Sequence, residues 1–399
     1  MALAFSHRLA WDRPENALAT AERARRARGE ALLDLTVSNP TRVALPDLGP
    51  RVRDALAASP SGAYEPDPAG LASARDAIAR ELAAAGAPVS PERLLLTASS
   101  SESYAHLFKV LCDPGDAVLV PEPSYPLFEY LARLEGVEPL PYRLAWDGVW
   151  HVDVASLDAA LARAAGPARA LDVVNPNNPT GSFLKRAELP ALAARCEAHG
   201  LAAISDEVFA PYAAGEDPTR VRALAAEPAF TARVATFALG GLSKSCGLPQ
   251  LKLGWITVAG PPAAADAALA RLALVADTYL SVGTPVQAAV SRLLEIGRDA
   301  RADIAARVGA NRAALAAALP PSSPCAALAS EGGWSAIVRV PATRTDEAWA
   351  EALLVEDGVL VHPGYFFELV GGTFLVLSLL PPPAAFAEGA RRLVARCSI

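Results

Sequence analysis

Cysteine is scarce in this 399-residue chain: five residues, an odd number without close pairing. That excludes a disulfide framework and points to a reducing compartment. Histidine is as scarce, and His106, His151 and His199 are scattered without ligand spacing, so no metal site is expected. Long apolar runs are missing too. The first twenty residues contain His7, Arg8, Asp12, Arg13 and Glu15, which rules out a signal peptide or membrane span there and predicts a cytoplasmic protein. Excess basic charge is absent: the formal net charge is −7, against nucleic acid or an anionic membrane as the main partner. The most basic run, Arg23 to Arg28, alternates with alanine and glutamate and reads as the solvated face of a helix. What the chain does have is apolar surface to bury. Hydrophobic residues make up 52% and charged residues 20%, enough for a folded protein with a large and a small lobe.

From about residue 70, helix-period and strand-like segments alternate. "GLASARDAIARELAAAG" (70–86) and "SESYAHLFKVLC" (101–112) have helical periodicity. "RLLLT" (93–97), "DAVLVP" (116–121), "ALDVVN" (170–175), "LAAISD" (201–206), "VATFAL" (234–239) and "GWITVA" (254–259) are short and apolar nearly throughout. Strands hydrophobic on both faces with intervening helices predict an α/β fold, a mostly parallel sheet covered by helices. After about residue 262 the pattern turns to long alanine-rich helices, broken at "SVGTP" (281–285), and then to a smaller strand–helix–strand region. The expected division is a large domain over 46–285 and a small α+β domain built from 1–45 and 286–399.

In a doubly wound sheet the ligand sits at the carboxyl ends of the strands, so the residues that follow each strand carry the argument. Ser99, Ser100 and Ser101 ahead of Glu102 resemble a capping box opening a helix, whose free N–H groups suit an anion; taken alone, a well-capped helix explains them equally well. Tyr125, held between Ser124 and Pro126, can present its ring to a planar ligand or simply fill a core. "NPNNPTG" (175–181) packs more turn residues than a turn needs and holds side-chain amides outward. Asp206 ends an apolar strand, where a carboxylate is costly unless a cation or strong donor meets it. Lys244 lies five residues past "VATFAL", and a lysine in a partly apolar site can have a lowered pKa and form a Schiff base with a carbonyl. The needs of one cofactor account for all five features. Pyridoxal phosphate has an aldehyde, a pyridine nitrogen, a phenolic oxygen, a phosphate and a flat ring.

At this point the chain resembles the class I/II aminotransferases, the fold-type I pyridoxal phosphate enzymes, over nearly its whole length. "NPNNPTG", "SDEVF" (205–209) and "SKSCGLPQLKLGW" (243–255) carry the resemblance, supported by "AYEPDPAGLASARDAI", "LCDPGDAVLVPEPSYP" and "VHPGYFF". It implies that Lys244 forms the Schiff base and shuttles a proton, that Asp206 keeps the pyridine nitrogen protonated, that Asn178 bonds the phenolic oxygen and that Tyr125 stacks on the ring. It places Ser99, Ser100, Ser101, Ser243 and Lys252 at the phosphate. Tyr64 matches a tyrosine lent to the neighbouring subunit, so the resemblance implies a homodimer with shared active sites, taking a small-molecule amino donor and a carbonyl acceptor. Asn39, Arg42 and His362 match segments that border the substrate.

Four departures mark a divergent branch. Lys252 stands where an arginine is usual, and a lysine keeps the charge but loses the bidentate fork. Gly241 replaces a phosphate-binding serine or threonine, and Phe209 a tyrosine that donates to the phenolic oxygen. Val376, in "LVLS" (375–378), stands where an arginine clamps the substrate's α-carboxylate. Two substrate classes follow: an ordinary amino acid met by a relocated cation such as Arg42 or His362, or an amino compound without an α-carboxylate. The same scaffold hosts lyases, decarboxylases and oxidases, which form the alternative to amino transfer. Cys246 reads as a packing residue rather than a nucleophile.

Overall fold

The computed structural model describes residues 3, 5–9, 16–59, 62 and 64–398; Asp12, Arg13 and Glu15 lie outside them. The apolar segments form one eight-stranded sheet: β1 (Leu94–Thr97), β2 (Ala117–Glu122), β3 (Glu138–Trp146), β4 (Trp150–Val152), β5 (Ala168–Val174), β6 (Ala202–Asp206), β7 (Thr236–Gly241) and β8 (Gly254–Ala259). Their spatial order is β1-β8-β7-β6-β5-β2-β3-β4. The four central pairings are parallel. β8 runs antiparallel to both β1 and β7, and β4 antiparallel to β3. The central strands are buried along nearly their whole length, which is why they read as continuous apolar runs.

β3 and β4 were not predicted. Pro139 and Pro141 disguise β3, and the sheet tolerates them because β4 pairs only with Leu144–Trp146 of it.

A smaller, wholly antiparallel sheet follows: β9 (Ala326–Ala327), β10 (Ser335–Val340), β11 (His362–Pro363) and β12 (Thr373–Ser378), in the order β9-β10-β12-β11. Leu33–Asp34 pairs in parallel with Val359–Leu360, which ties the N-terminal segment to this lobe. The large sheet is flanked by helices such as Ser100–Leu111 and Leu189–His199, so the α/β architecture with a smaller second lobe is the one observed.

The 35-residue helix Thr284–Ala318 runs through both cores. Val286, Leu293 and Ile296 pack with Val52, Ile78 and Leu94, whereas Ile304, Val308 and Leu315 pack with Leu35, Trp334 and Leu375. The division at 45/46 and 285/286 is therefore a proposal about rigid units, joined by a helix that belongs to both.

The fold brings the critical strand ends to one edge. β1 and β7 both pair antiparallel with β8, so Thr97 and Gly241 each face Gly254 across it. The carboxyl ends of β1, β2, β5, β6 and β7 thus share one edge of the sheet.

Candidate active site

Lys244 sits in a one-turn helix, Leu242–Ser245, directly after β7. That turn is fastened from several sides. Ser245 Oγ donates to Gly241 O at 2.7 Å, Tyr212 Oη donates to Lys244 O at 2.6 Å, and Arg301 Nε donates to Ser245 O at 3.0 Å. The Lys244 ammonium lies 5.1 Å from the ring centre of Trp334 and 5.6 Å from that of Phe209. Those two rings meet edge to face at 4.9 Å. Burial lowers the Lys244 pKa, and the opposing pull of Asp206 does not undo it. A larger share of the amine is then neutral and able to attack a carbonyl.

Asp206 closes β6 and accepts from Val208 N–H at 3.1 Å. Burial raises its pKa to about 6, against the lowering effects of Val208 N–H, Lys244 and Tyr104. For both Lys244 and Asp206, desolvation outweighs their mutual attraction. The pair is short of a partner, and a protonated ring nitrogen would supply one to Asp206.

Ser99 is the N-cap of the helix Ser100–Leu111; its hydroxyl accepts from Glu102 N–H at 3.2 Å, and the Glu102 carboxylate accepts from Ala98 N–H at 2.6 Å. This is the expected capping box. It commits the Ser99 hydroxyl and leaves Ser100 and Ser101, both half-buried, at the first turn. Ser243, also half-buried, comes from the Lys244 turn. The two turns approach closely, since a Cβ on Gly254 would meet Thr97 Oγ1 at 3.1 Å and the Ser99 backbone at 3.3 Å. A Cβ on Gly241 would meet Gly254 Cα and Leu253 O at 3.2 Å, so the missing hydroxyl there matches a close backbone approach. Lys252 is exposed at φ +51°, two residues before β8.

The small lobe contributes the opposite wall. Asn178 Oδ1 accepts from Ser335 Oγ of β10 at 3.0 Å, which leaves the Asn178 N–H₂ as a free donor. Gly181 ends the same loop at φ +69°, and a Cβ there would strike Ser330 Oγ at 2.0 Å and Gly332 O at 2.4 Å. Only glycine permits that closure. Side chains alternate along a strand, so Ile337 of β10 faces the same side as Ser335, and Val376 and His362 stand level with Ile337 on the neighbouring strands. Val376 is buried among Trp150, Ile337, Phe367, Leu369 and Phe374. His362 stacks on Phe366 at 5.1 Å, and burial lowers its pKa, so it offers an imidazole without positive charge at neutral pH.

Asn39 caps the short turn Pro40–Arg42 by accepting from Thr41 N–H, and Ser38 Oγ accepts from Trp334 Nε1 at 3.2 Å. The segment therefore lies against the Lys244 cage, with Asn39 and Arg42 exposed. Tyr125 is 47% exposed, with its ring 6.4 Å from Phe367 and tilted to it, so within one chain it lies at the rim. Tyr64 is 73% exposed, in a segment that lines a separate hollow with His106 and Gln287. The fold thus draws Lys244, Asp206, Asn178, Phe209 and the serine turns together, and leaves Tyr64 and Lys252 facing solvent.

Four contributors escaped the sequence reading. Trp334 and Ser335 follow a Gly-Gly turn in "SEGGWS", whose only signal was that turn. Tyr104 and Asp172 lie behind Asp206, with Tyr104 Oη 3.0 Å from Asp172 Oδ1. A charged residue inside the apolar run "ALDVV" was the visible signal for the latter.

Cys246 is buried, and burial raises its thiol pKa, as a packing residue requires. Among the described residues no cluster of His, Cys, Asp or Glu could hold a metal ion, and no helix is long and apolar enough to cross a membrane.

The chain is similar to known proteins. An alanine aminotransferase of Mycobacterium tuberculosis is 27% identical over 266 residues, 66% of this chain and 60% of that enzyme. An S-alkyl-thiohydroximate lyase of Arabidopsis thaliana is 28% identical over 250 residues, 61% of this chain and 52% of its own. The chain thus matches only about half to three-fifths of these curated relatives' length. In fold, the solved structure of an alanine aminotransferase from Pyrococcus furiosus superposes with a TM-score of 0.83, over 99% of this chain and 100% of the other, at 22% identity. The sequence pattern of the family "Aminotransferase class I and II" matches residues 30–391, nine-tenths of the chain and every strand end described above, and to that family the chain belongs.

Proposed function

We propose that the protein transfers an amino group between an amino compound and a keto acid or aldehyde, using pyridoxal phosphate held by Lys244. The observation that carries this reading is the paired burial of Lys244 and Asp206 at adjacent strand ends, each with a pKa displaced towards its neutral form. The residues fit the cofactor. The amine has a carbonyl to meet, Asp206 a protonated nitrogen, the Asn178 N–H₂ an oxygen, and the helix start at Ser99–Ser101 an anion.

Bound pyridoxal phosphate supplies an aldehyde that takes up the amino group and a ring that accepts the electron pair released at the donor's α-carbon. The chain's own groups do the rest. Lys244, neutral for part of the time because it is buried, takes the proton from the α-carbon and returns it elsewhere. The Asp206 carboxylate keeps a proton on the ring nitrogen. Asn178, its own oxygen anchored by Ser335, would have its amide hydrogens available for the phenolic oxygen. Phe209 and Trp334 keep water from the amine.

The wall around Val376 bears on the substrate. A carboxylate placed there would face Trp150, Ile337 and Phe367 and a neutral His362, at a cost of several kcal/mol. The favoured donor therefore has an apolar or uncharged group at that end, and a carboxylate placed elsewhere would look to Arg42. The resemblance to a lyase supports a second reading, in which the same proton removal at Lys244 is followed by bond cleavage rather than amino transfer. We further propose a homodimer in which Tyr64 serves the neighbouring site, in keeping with its exposure. A cytoplasmic setting would keep the five thiols, none of them in a disulfide, reduced.

The test is a panel of amines and amino acids added to the cofactor-loaded protein, followed by absorbance. Loss of the bound-cofactor band with amino-group uptake by amines supports the proposal. Release of ammonia or carbon dioxide without that change would replace it with the lyase or decarboxylase reading.

A further inference from the structure

We propose that Asp172 is a positioning residue for Asp206, acting through the Tyr104 hydroxyl as a three-membered hydrogen-bond chain beneath the cofactor site. The inference rests on Asp206 being the carboxylate that meets the ring nitrogen.

The placement comes from sheet register. Asp172 pairs with Ile204 and Val174 pairs with Asp206 across β5 and β6. Side chains alternate along each strand, so Asp172 and Asp206 project from the same face, one strand and two residues apart. The helix Ser100–Leu111 covers that face and drives Tyr104 into the sheet, where it is buried with Ile204 and Phe237. Its hydroxyl lies 3.0 Å from Asp172 Oδ1 and also helps to hold Asp206 ionised.

Asp172 is fully enclosed, and its Oδ2 has no partner. Tyr142 Oη donates at 2.9 Å to the Asp172 backbone oxygen and gives the carboxyl nothing. The titratable groups that face Asp172 are Tyr104 from the helix, Asp206 from β6 and Tyr142 from β3, and none of them is a cation. Two carboxylates sharing one phenol, Asp172 fully enclosed and Asp206 half-buried, cannot both stay ionised at low cost. Asp206 has the Lys244 ammonium and Val208 N–H to support its charge. Asp172 has neither, and burial followed by the nearby Asp206 pushes its pKa far above the carboxylate range.

The proton therefore resides on Asp172. A neutral Asp172 turns the 3.0 Å contact round, from Tyr104 donating to the carboxylate to Oδ1–H donating to Tyr104 Oη, and frees the Tyr104 hydrogen for Asp206. Only the neutral Asp172 Oδ2 is then left without a partner, a far smaller cost than an unpaired charge. Asp206 receives Tyr104 and Val208 as fixed donors, which orients its remaining lone pairs towards the cofactor.

Three variants test this: Asp172→Asn, Asp172→Leu and Tyr104→Phe. Burial pushes the neighbouring Glu207 carboxyl up to about 8, so it too is protonated at neutral pH. The infrared difference between cofactor-free wild type and Asp172→Asn should therefore isolate one protonated-carboxyl component that belongs to Asp172. Asp172→Asn, whose amide N–H can take the place of the acid hydrogen, should keep the cofactor Kd within about two-fold and leave the pH midpoint of the bound-cofactor absorbance unchanged. Tyr104→Phe should weaken cofactor binding about ten-fold, the loss of one hydrogen bond to a charged group. Asp172→Leu should weaken it several-fold, and the double variant Tyr104→Phe/Asp172→Leu should be no worse than Tyr104→Phe alone.

The proposal is overturned if the difference between wild type and Asp172→Asn contains no protonated-carboxyl component. It is overturned equally if that variant lowers the absorbance midpoint by a unit or more, because a lost negative charge would do so, or if Tyr104→Phe binds cofactor like wild type. Failure of the wild type to bind pyridoxal phosphate would instead defeat the parent reading, while the infrared comparison, made without cofactor, still locates the proton.

Discussion

Replacing Asp206 with asparagine should stabilise the cofactor-free protein and cripple the loaded one. Burial raises the Asp206 pKa from an ordinary 3.8 to about 6. The fold therefore favours the protonated acid, and that contribution is fully present below about pH 4 and lost as pH rises through 6. A displacement of about two units corresponds to about 3 kcal/mol, the extra cost of keeping the ionised form folded at pH 8. Asparagine preserves the shape and can still accept from Val208 N–H, but it never ionises. Unfolding entropy for a chain of this length is roughly 0.8 kcal/mol per kelvin, so the Asp206→Asn melting temperature should gain about 4 °C on wild type between pH 4 and pH 8. With pyridoxal phosphate bound the order reverses, because the wild-type carboxylate gains the protonated ring nitrogen and the amide does not. The assay is thermal unfolding of both proteins across that pH range, with and without cofactor. A gap between the cofactor-free proteins that stays constant or shrinks with rising pH would refute the claim that Asp206 is held in a site that disfavours its charge.

Other perturbations probe the remaining walls. Val376→Arg should raise kcat/KM for α-carboxylate donors by about ten-fold or more, the value of a charge-assisted pair, as measured against an uncharged amine. Equal gains for both substrates would contradict the assignment of that wall. Phe209→Tyr should lower the pH midpoint of the bound-cofactor absorbance by about one unit, since a new donor favours the ionised phenolic oxygen. An unchanged midpoint would show that the ring position does not address that oxygen. Mixing Tyr64→Ala with Lys244→Ala protein should recover activity that neither has alone, because a mixed dimer rebuilds one complete site. No recovery on subunit exchange would remove Tyr64 from the shared site.

Much of this arrangement was legible in the order of residues. Strands such as "LAAISD" and "VATFAL" betray themselves because they are buried on both faces, and the residues after them fall at one edge of a parallel sheet by geometry. That reasoning reached Lys244, Asp206, the "NPNNPTG" loop and the Ser99 turn, and the family resemblance singled out Asn178 within that loop. It could not reach Trp334 and Ser335, which come from the small lobe and meet Lys244 and Asn178 only after the lobes dock. β3 was hidden by prolines that are tolerated where part of the strand's outer edge is unpaired. The setting of Asp172 depends on a register between β5 and β6 and on a tyrosine from a helix 68 positions away. A charge inside an apolar strand announced that something was there, but its partner is a tertiary fact. The exposure of Tyr64 and Tyr125 was equally invisible in the sequence, and the proposed homodimer would give it a use.

The central claim is that Lys244 carries the cofactor. Borohydride reduction of the loaded protein, followed by digestion and mass spectrometry, should find the pyridoxyl group on the peptide that contains Lys244, and Lys244→Ala protein should yield none. A label on Lys109, Lys185 or Lys252 instead, or a label undiminished in Lys244→Ala, would contradict the account.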